Sequence, residues 1–86
     1  MEEEIGRITH YFSKIGVAVI EITAESLKVG ETIRIKGHSS DFTQPVESLQ
    51  QEHLSVPEIR KGVSAGIKVK EHVREGDKVY KTKEDA

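Results

Sequence analysis

The stretch LKVGETIRIKG, Leu27 to Gly37, turns on a glycine and then alternates polar with apolar residues. VREGDKVYK, Val73 to Lys81, repeats the arrangement. Alternation with a period of two is the pattern of a strand with one buried face. Ile33 and Ile35 fall on one side, and Thr32, Arg34 and Lys36 on the other. Gly30 takes a positive φ without a Cβ clash, which suits a tight turn. In the second copy Gly76 turns, and Val79 stands between Lys78 and Tyr80. Each copy has a basic residue (Lys28, Arg74), a glycine, an acid (Glu31, Asp77) and then an apolar residue (Ile33, Val79). Two copies are too few for a solenoid. They predict two similar turn-into-strand corners in one small sheet structure.

Other segments follow the same logic. In AGIKVKE, Ala65 to Glu71, Ile67 and Val69 point inward and Lys68 and Lys70 outward. GVAVIEI, Gly16 to Ile22, is rich in β-branched residues; with Glu21 in water, Ala18, Ile20 and Ile22 face the core. Val17 and Val19 are then left for a loop or a partner to cover. IGRITHYF, Ile5 to Phe12, puts Ile8 and Phe12 on one face with His10 between them as a partly buried core histidine. Ser13 to Ile15 is short enough to make a hairpin of these two strands. Val46 to Leu54 fits a helix or a bulged strand equally, and PEIRKG, Pro57 to Gly62, reads as a single helical turn. Five or six short strands with glycine turns point to a small closed or nearly closed antiparallel barrel.

The chain has 86 residues, enough for one domain. We expect an acidic extension at 1–4, a barrel over 5–82 and a polar tail at 83–86. Cysteine is absent, which excludes disulfides and thiolate metal sites. The start MEEEIGR carries no readable signal peptide, and no apolar run approaches the roughly 18 residues of a membrane span. The expected setting is therefore cytoplasmic, without membrane contact. Net charge is −2, but residues 5–83 carry 13 basic and 10 acidic side chains, a net +3. A mildly basic body with acidic ends permits contact with a phosphate backbone without demanding it.

In order, IGRITHYF, GVAVIEI, LKVGETIRIKG, QPVESLQ, KGVSAGIKVK and VREGDKVYK resemble the β-barrel second domain of translational GTPases such as elongation factor Tu. The match runs from about Ile5 to Lys81. A related barrel stands at the C-terminus of the collagenase-like peptidase family, some of whose members act in RNA modification. The resemblance implies an all-β, six-stranded antiparallel closed barrel and favours bulged strand for Val46 to Leu54. In the full factors this barrel holds the acceptor end of a charged transfer RNA or docks on ribosomal RNA. The sequence departs from those factors in having no G-x-x-x-x-G-K-[ST] loop, so no nucleotide cofactor is expected.

Catalytic constellations are weak. His38, Ser39, Ser40 and Asp41 are triad residue types, but four neighbours in one loop rarely reach triad geometry, and a polar turn explains them. His10, His38, His53 and His72 lack the short spacing of zinc sites, so no metal or other cofactor is expected. The candidate binding residues are a basic stripe, Arg34 and Lys36 on one strand and Lys68 and Lys70 on another, with Phe42 or Tyr11 able to stack a base. The stripe requires the two strands to be neighbours. The expected function is a binding module without enzymatic activity that contacts transfer or ribosomal RNA. The alternative is a protein-interaction adaptor, anchored on Val17 and Val19, that docks on a separate enzyme or factor.

Overall fold

The computed structural model of the chain describes residues 2–82. Ten strands follow one another: β1 (Glu2–Phe12), β2 (Val17–Ile22), β3 (Ser26–Lys28), β4 (Thr32–Lys36), β5 (Asp41–Pro45), β6 (Leu49–Gln51), β7 (Leu54–Val56), β8 (Glu58–Arg60), β9 (Ser64–Lys68) and β10 (Lys78–Thr82). Eight form one sheet in the order β5-β4-β10-β1-β2-β9-β6-β7; β3 and β8 form a second. No helix occurs among the described residues.

Alternation in sequence becomes alternation in burial. Ile33 and Ile35 of β4, Ala18, Ile20 and Ile22 of β2, Ile67 of β9 and Val79 of β10 are buried. Ile5 and Ile8 of β1, Leu27 of β3, Leu49 of β6 and Ile59 of β8 complete an aliphatic core, with Val46 and Val73 from the loops. Each such side chain contributes roughly 1.5–3 kcal/mol.

The two repeated corners are the same turn. Gly30 has φ +99° and Gly76 φ +92°. The Lys28 amide donates to the Glu31 carboxylate at 2.7 Å, and the Arg74 amide to the Asp77 carboxylate at 3.0 Å. The Glu31 and Asp77 amides return bonds to the carbonyls of Lys28 and Arg74, at 3.2 and 3.1 Å. The recurring acid is therefore a turn-former. Asp77 is buried, and a Cβ on Gly37 would overlap its carboxylate, so position 37 needs glycine.

Several expectations are corrected. The six-stranded closed barrel is instead an eight-stranded sheet with a two-stranded one beside it, and no ladder among the described residues closes it. The segment from Val46 to Leu54 is neither helix nor one bulged strand. It breaks into β6 and β7, joined through Glu52 and His53, whose φ angles are +52° and +66°. Two positive φ values in a two-residue connection match the right-handed twist of a hairpin. The PEIRKG turn is strand β8, whose Ile59 pairs with Leu27. Glu2 to Glu4, expected as an acidic extension, are strand residues of β1 paired with β10, and the tail at 83–86 lies outside the described residues.

β1 carries two register shifts, between Glu4 and Gly6 against β10 and between Ile8 and His10 against β2. Each bulge changes which side chains face the core. Ile8 stays buried, but His10 and Phe12 turn outward, against the expectation of a shared inner face.

A side-chain amide seals the open side of the sheet. Gln44 of β5 is buried, donates from Nε2 to the Lys68 carbonyl at 2.8 Å and accepts from the Lys70 amide at Oε1, 2.9 Å. It acts as one missing rung between β5 and the end of β9. Gln44→Leu strands both backbone groups, at about 2 kcal/mol, so the melting midpoint should fall by roughly 8–16 °C. Calorimetry checks this; an unchanged midpoint would show that the amide does not seal the sheet.

Candidate functional site

Adjacent strands fix which side chains share the outer surface. Phe12 pairs with Val17, and Val17 with Lys68. One row down, His10 pairs with Val19, Val19 with Gly66, and Gly66 with Gln50. A third row joins Arg7, Glu21 and Ser64. The inward neighbours Ala18 and Ile20 are fully buried, so these rows lie on the outside. Phe12 is 46% exposed, and Ile15, in the hairpin turn above it, 63%. Val17 and Val19 are half-buried. The His10 and Phe12 rings stand 5.6 Å apart. The result is a semi-apolar face crossing β1, β2 and β9.

The floor of this face opens at its far side. β6 meets β9 at one residue pair only, Gln50 with Gly66. Where the two strands splay, Val17, Ser48, Gln50, Gly66 and Lys68 line a hollow of about 180 Å³. Gly66 keeps it open: a Cβ there would sit 3.3 Å from Val17 Cγ1. Its lining residues set a serine, a glutamine and a lysine beside a valine.

The sequence-predicted residues do not form one stripe. Three strands, β10, β1 and β2, separate β4 from β9 in the sheet. Arg34 is engaged: Nε and Nη2 bind the Asp41 carboxylate at 2.7 and 2.8 Å, and Nη1 binds Glu2 at 3.0 Å. Lys36, Lys68 and Lys70 are exposed. Phe42 is buried in the core and has no face to offer a base. Tyr11 is half-buried, with its ring edge-on to His72 at 4.8 Å. The residues that sequence reasoning missed are Phe12, Ile15, Ser48, Gln50 and Gly66. Only the bulge at Ile8/His10 and the splay of β6 bring them to this face, and neither leaves a periodic signal. Val17 and Val19 were legible as outward apolar residues.

The loop with triad residue types has other work. Ser40 is buried and donates to the His72 carbonyl at 3.2 Å, while Asp41 is held by Arg34. Among the described residues no group of three or more histidines and acids is placed to hold a metal. No helix there is long and apolar enough to cross a membrane.

No family model matches the chain. It is 42% identical over 82 residues to an uncharacterized protease of Methanocaldococcus jannaschii, covering 94% of this chain and 20% of that protein. It is 38% identical over 78 residues to a collagenase of Porphyromonas gingivalis, covering 90% of this chain and 22% of the collagenase. The chain thus spans about a fifth of the length of these curated relatives. Its fold matches the crystal structure of the C-terminal domain of a Geobacillus thermoleovorans protein assigned to the U32 peptidases, with a TM-score of 0.87, 20% identity and coverage of 94% of this chain and 93% of that one. The selenomethionine variant of that domain gives a TM-score of 0.83 at 20% identity, over 90% of this chain and 96% of that one. Of the two resemblances expected from sequence, these relatives carry the collagenase-like peptidase one. They also overturn the expectation of a binding module without enzymatic activity: the relatives are named protease and collagenase, and the chain aligns with a fifth of their length.

The engagement of Arg34 has a pH signature. The Asp41 carboxyl is held below its ordinary value, first by the hydrogen bond from Arg34; desolvation opposes this, and the charges of Arg34 and then Lys36 add to the lowering. A lowered carboxyl contributes stability above its unfolded-state value and loses it as pH falls through the folded one. Asp41→Asn should therefore be less stable than the parent at neutral pH. The gap should shrink once pH drops below about 4. Urea unfolding at a series of pH values measures it, and a pH-independent gap would contradict the ion pair.

Proposed function

We propose that this chain is a protein-recognition domain of a U32-type peptidase, and that the outer face of β1, β2 and β9 seats it on the peptidase body. The observation that carries this reading is the alignment itself. Nearly all of this chain matches a small part of a protease, most of whose length lies outside the match. Something on the domain must then face that larger body. Phe12, Val17 and Val19, in two adjacent rows with Ile15 at their end, make an apolar outward patch, and exposed aromatic and aliphatic side chains in one patch are what protein contacts use.

The test mixes the chain with the Methanocaldococcus jannaschii protease made without its aligned segment. Titration calorimetry should give a complex in the micromolar range, and Phe12→Asp with Val17→Asp should weaken it at least tenfold. Both substitutions leave the buried residues of β1 and β2 in place. No heat at about 100 μM of either partner would overturn the reading.

A second reading, RNA contact, has one favouring observation. Lys68 and Lys70 stand at the end of β9 and are exposed, and the segment that follows carries His72, whose ring meets that of Tyr11 edge-on. Transfer or ribosomal RNA held there would meet phosphate-binding cations beside a ring edge. Labelled transfer RNA should then bind at low salt and weaken steeply at moderate salt. Lys68→Ala with Lys70→Ala should lower the salt slope by about 2. Binding no tighter than that of a neutral control protein would remove this reading.

A further inference from the structure

We propose that the hollow between β2, β9 and β6 is a binding site for one acidic side chain of a polypeptide, an aspartate or glutamate presented by the protein this face recognises. The proposal rests on the protein-recognition reading and gives its contact a chemistry.

Three observations lead there. The first is charge. Arg7, Arg34, Lys78 and Lys81, on β1, β4 and β10, each meet a carboxylate within 4 Å: Glu21 at 3.0, Asp41 at 2.7, Glu4 at 3.7 and Glu31 at 3.3 Å. Lys68 does not, and neither do Lys36 and Lys70; among the described residues none of the three is in an ion pair. The sheet neighbour of Lys68 on one side is Val17, and on the other the ladder has ended. Of these three unpaired lysines, Lys68 is the one that lines the hollow.

The second is size. About 180 Å³ falls below the roughly 300–1,000 Å³ of cofactor and small-molecule sites, yet it is several times the 30 Å³ of one water. A carboxylate with one or two methylenes fits that range, and a nucleotide does not.

The third is the lining. The Lys68 ammonium, the Ser48 hydroxyl and the Gln50 carboxamide N–H are all donors, and a carboxylate accepts at two oxygens. Val17 and the bare Gly66 backbone give the methylenes an apolar bed. Continuing along the row, Val17 leads to Phe12, so the residues flanking the acid would lie on apolar surface. A phosphate backbone is held by a track of several cations, whereas this hollow holds one beside an apolar row, which favours polypeptide over nucleic acid.

The experiment is an amide chemical-shift titration of the whole chain. Its probes are the capped tripeptide acetyl-Val-Glu-Val-amide, the same peptide with Gln in place of Glu, inorganic phosphate and a short single-stranded RNA. The proposal expects the Glu peptide to shift Val17, Ser48, Gln50, Gly66 and Lys68, with the Gln peptide at least roughly tenfold weaker. Lys68→Met should lose that preference and Lys68→Arg retain it. Gly66→Ala, which narrows the hollow, should weaken the Glu peptide while the remaining spectrum stays folded. Equal binding of the two peptides, or a preference that survives Lys68→Met, overturns the acidic site and leaves protein recognition standing. Shifts at the hollow with phosphate or RNA but with neither peptide overturn the acidic site and turn the face toward nucleic acid. No shift with any probe at millimolar concentration overturns the site outright. Loss of the complex with the peptidase body, by contrast, is read separately by calorimetry.

Discussion

Everything in this fold hangs on how an open sheet avoids exposing its edges. The strand order runs from β5 to β7 and never returns on itself, so two strands would be left with unpaired backbone. Unpaired edges recruit other chains. Here β5 curls back until it faces the end of β9, and Gln44 fills the gap. A glutamine carries both a carbonyl and an amino group, so it presents one donor and one acceptor as a peptide unit would. It satisfies the Lys68 carbonyl and the Lys70 amide together. The second edge is handled differently. β7 has only three residues, a length that offers little to pair with.

That solution has a consequence for β9. β2 pairs with it along its full length, from Val17–Lys68 to Glu21–Ser64, and Gln44 holds its end. β6 is then attached through Gln50 and Gly66 alone. The hollow beside Lys68 is the space left by that loose attachment. The bulge in β1 supplies the other half of the face. Ile8 pairs with Ile20 and faces inward, but the extra residue before His10 resets the phase. Phe12 then stands next to Val17 on the outside rather than next to Ala18 on the inside. One inserted residue decides whether the aromatic ring belongs to the core or to a contact surface.

This explains what could be read in the sequence and what could not. The two glycine corners were legible because the turn is local: its residues lie within four positions, and the acid bonds the amide three residues before it. β2, β4 and β9 were legible because their alternation runs long enough to fix a period. β3, β6, β7 and β8 were not, since three residues define no period. The turn at Glu52 and His53 contains no glycine or asparagine, so nothing in it announces positive φ. The basic stripe failed for another reason. Parity along a strand tells which face a side chain takes, but it says nothing about which strand lies next to it. Arg34 and Lys68 are both outward, yet Arg34 meets Glu2, which is 32 positions away in the chain.

Strand neighbours also decide which cations remain available. A basic residue in a sheet is neutralised when the adjacent strand places an acid opposite or diagonal to it. Arg7 sits opposite Glu21, and Arg34 reaches Asp41 on β5 and Glu2 on β1. Lys81 is nearly buried and lies between Glu25 and Glu31. These charges are spent on joining strands, and exposed pairs of this kind contribute little beyond that. Lys68 stands beyond the single β6–β9 pair, Gln50 with Gly66, with Val17 as its neighbour on β2. A cation beside an apolar row, at a gap in the sheet, places charge and aliphatic surface side by side.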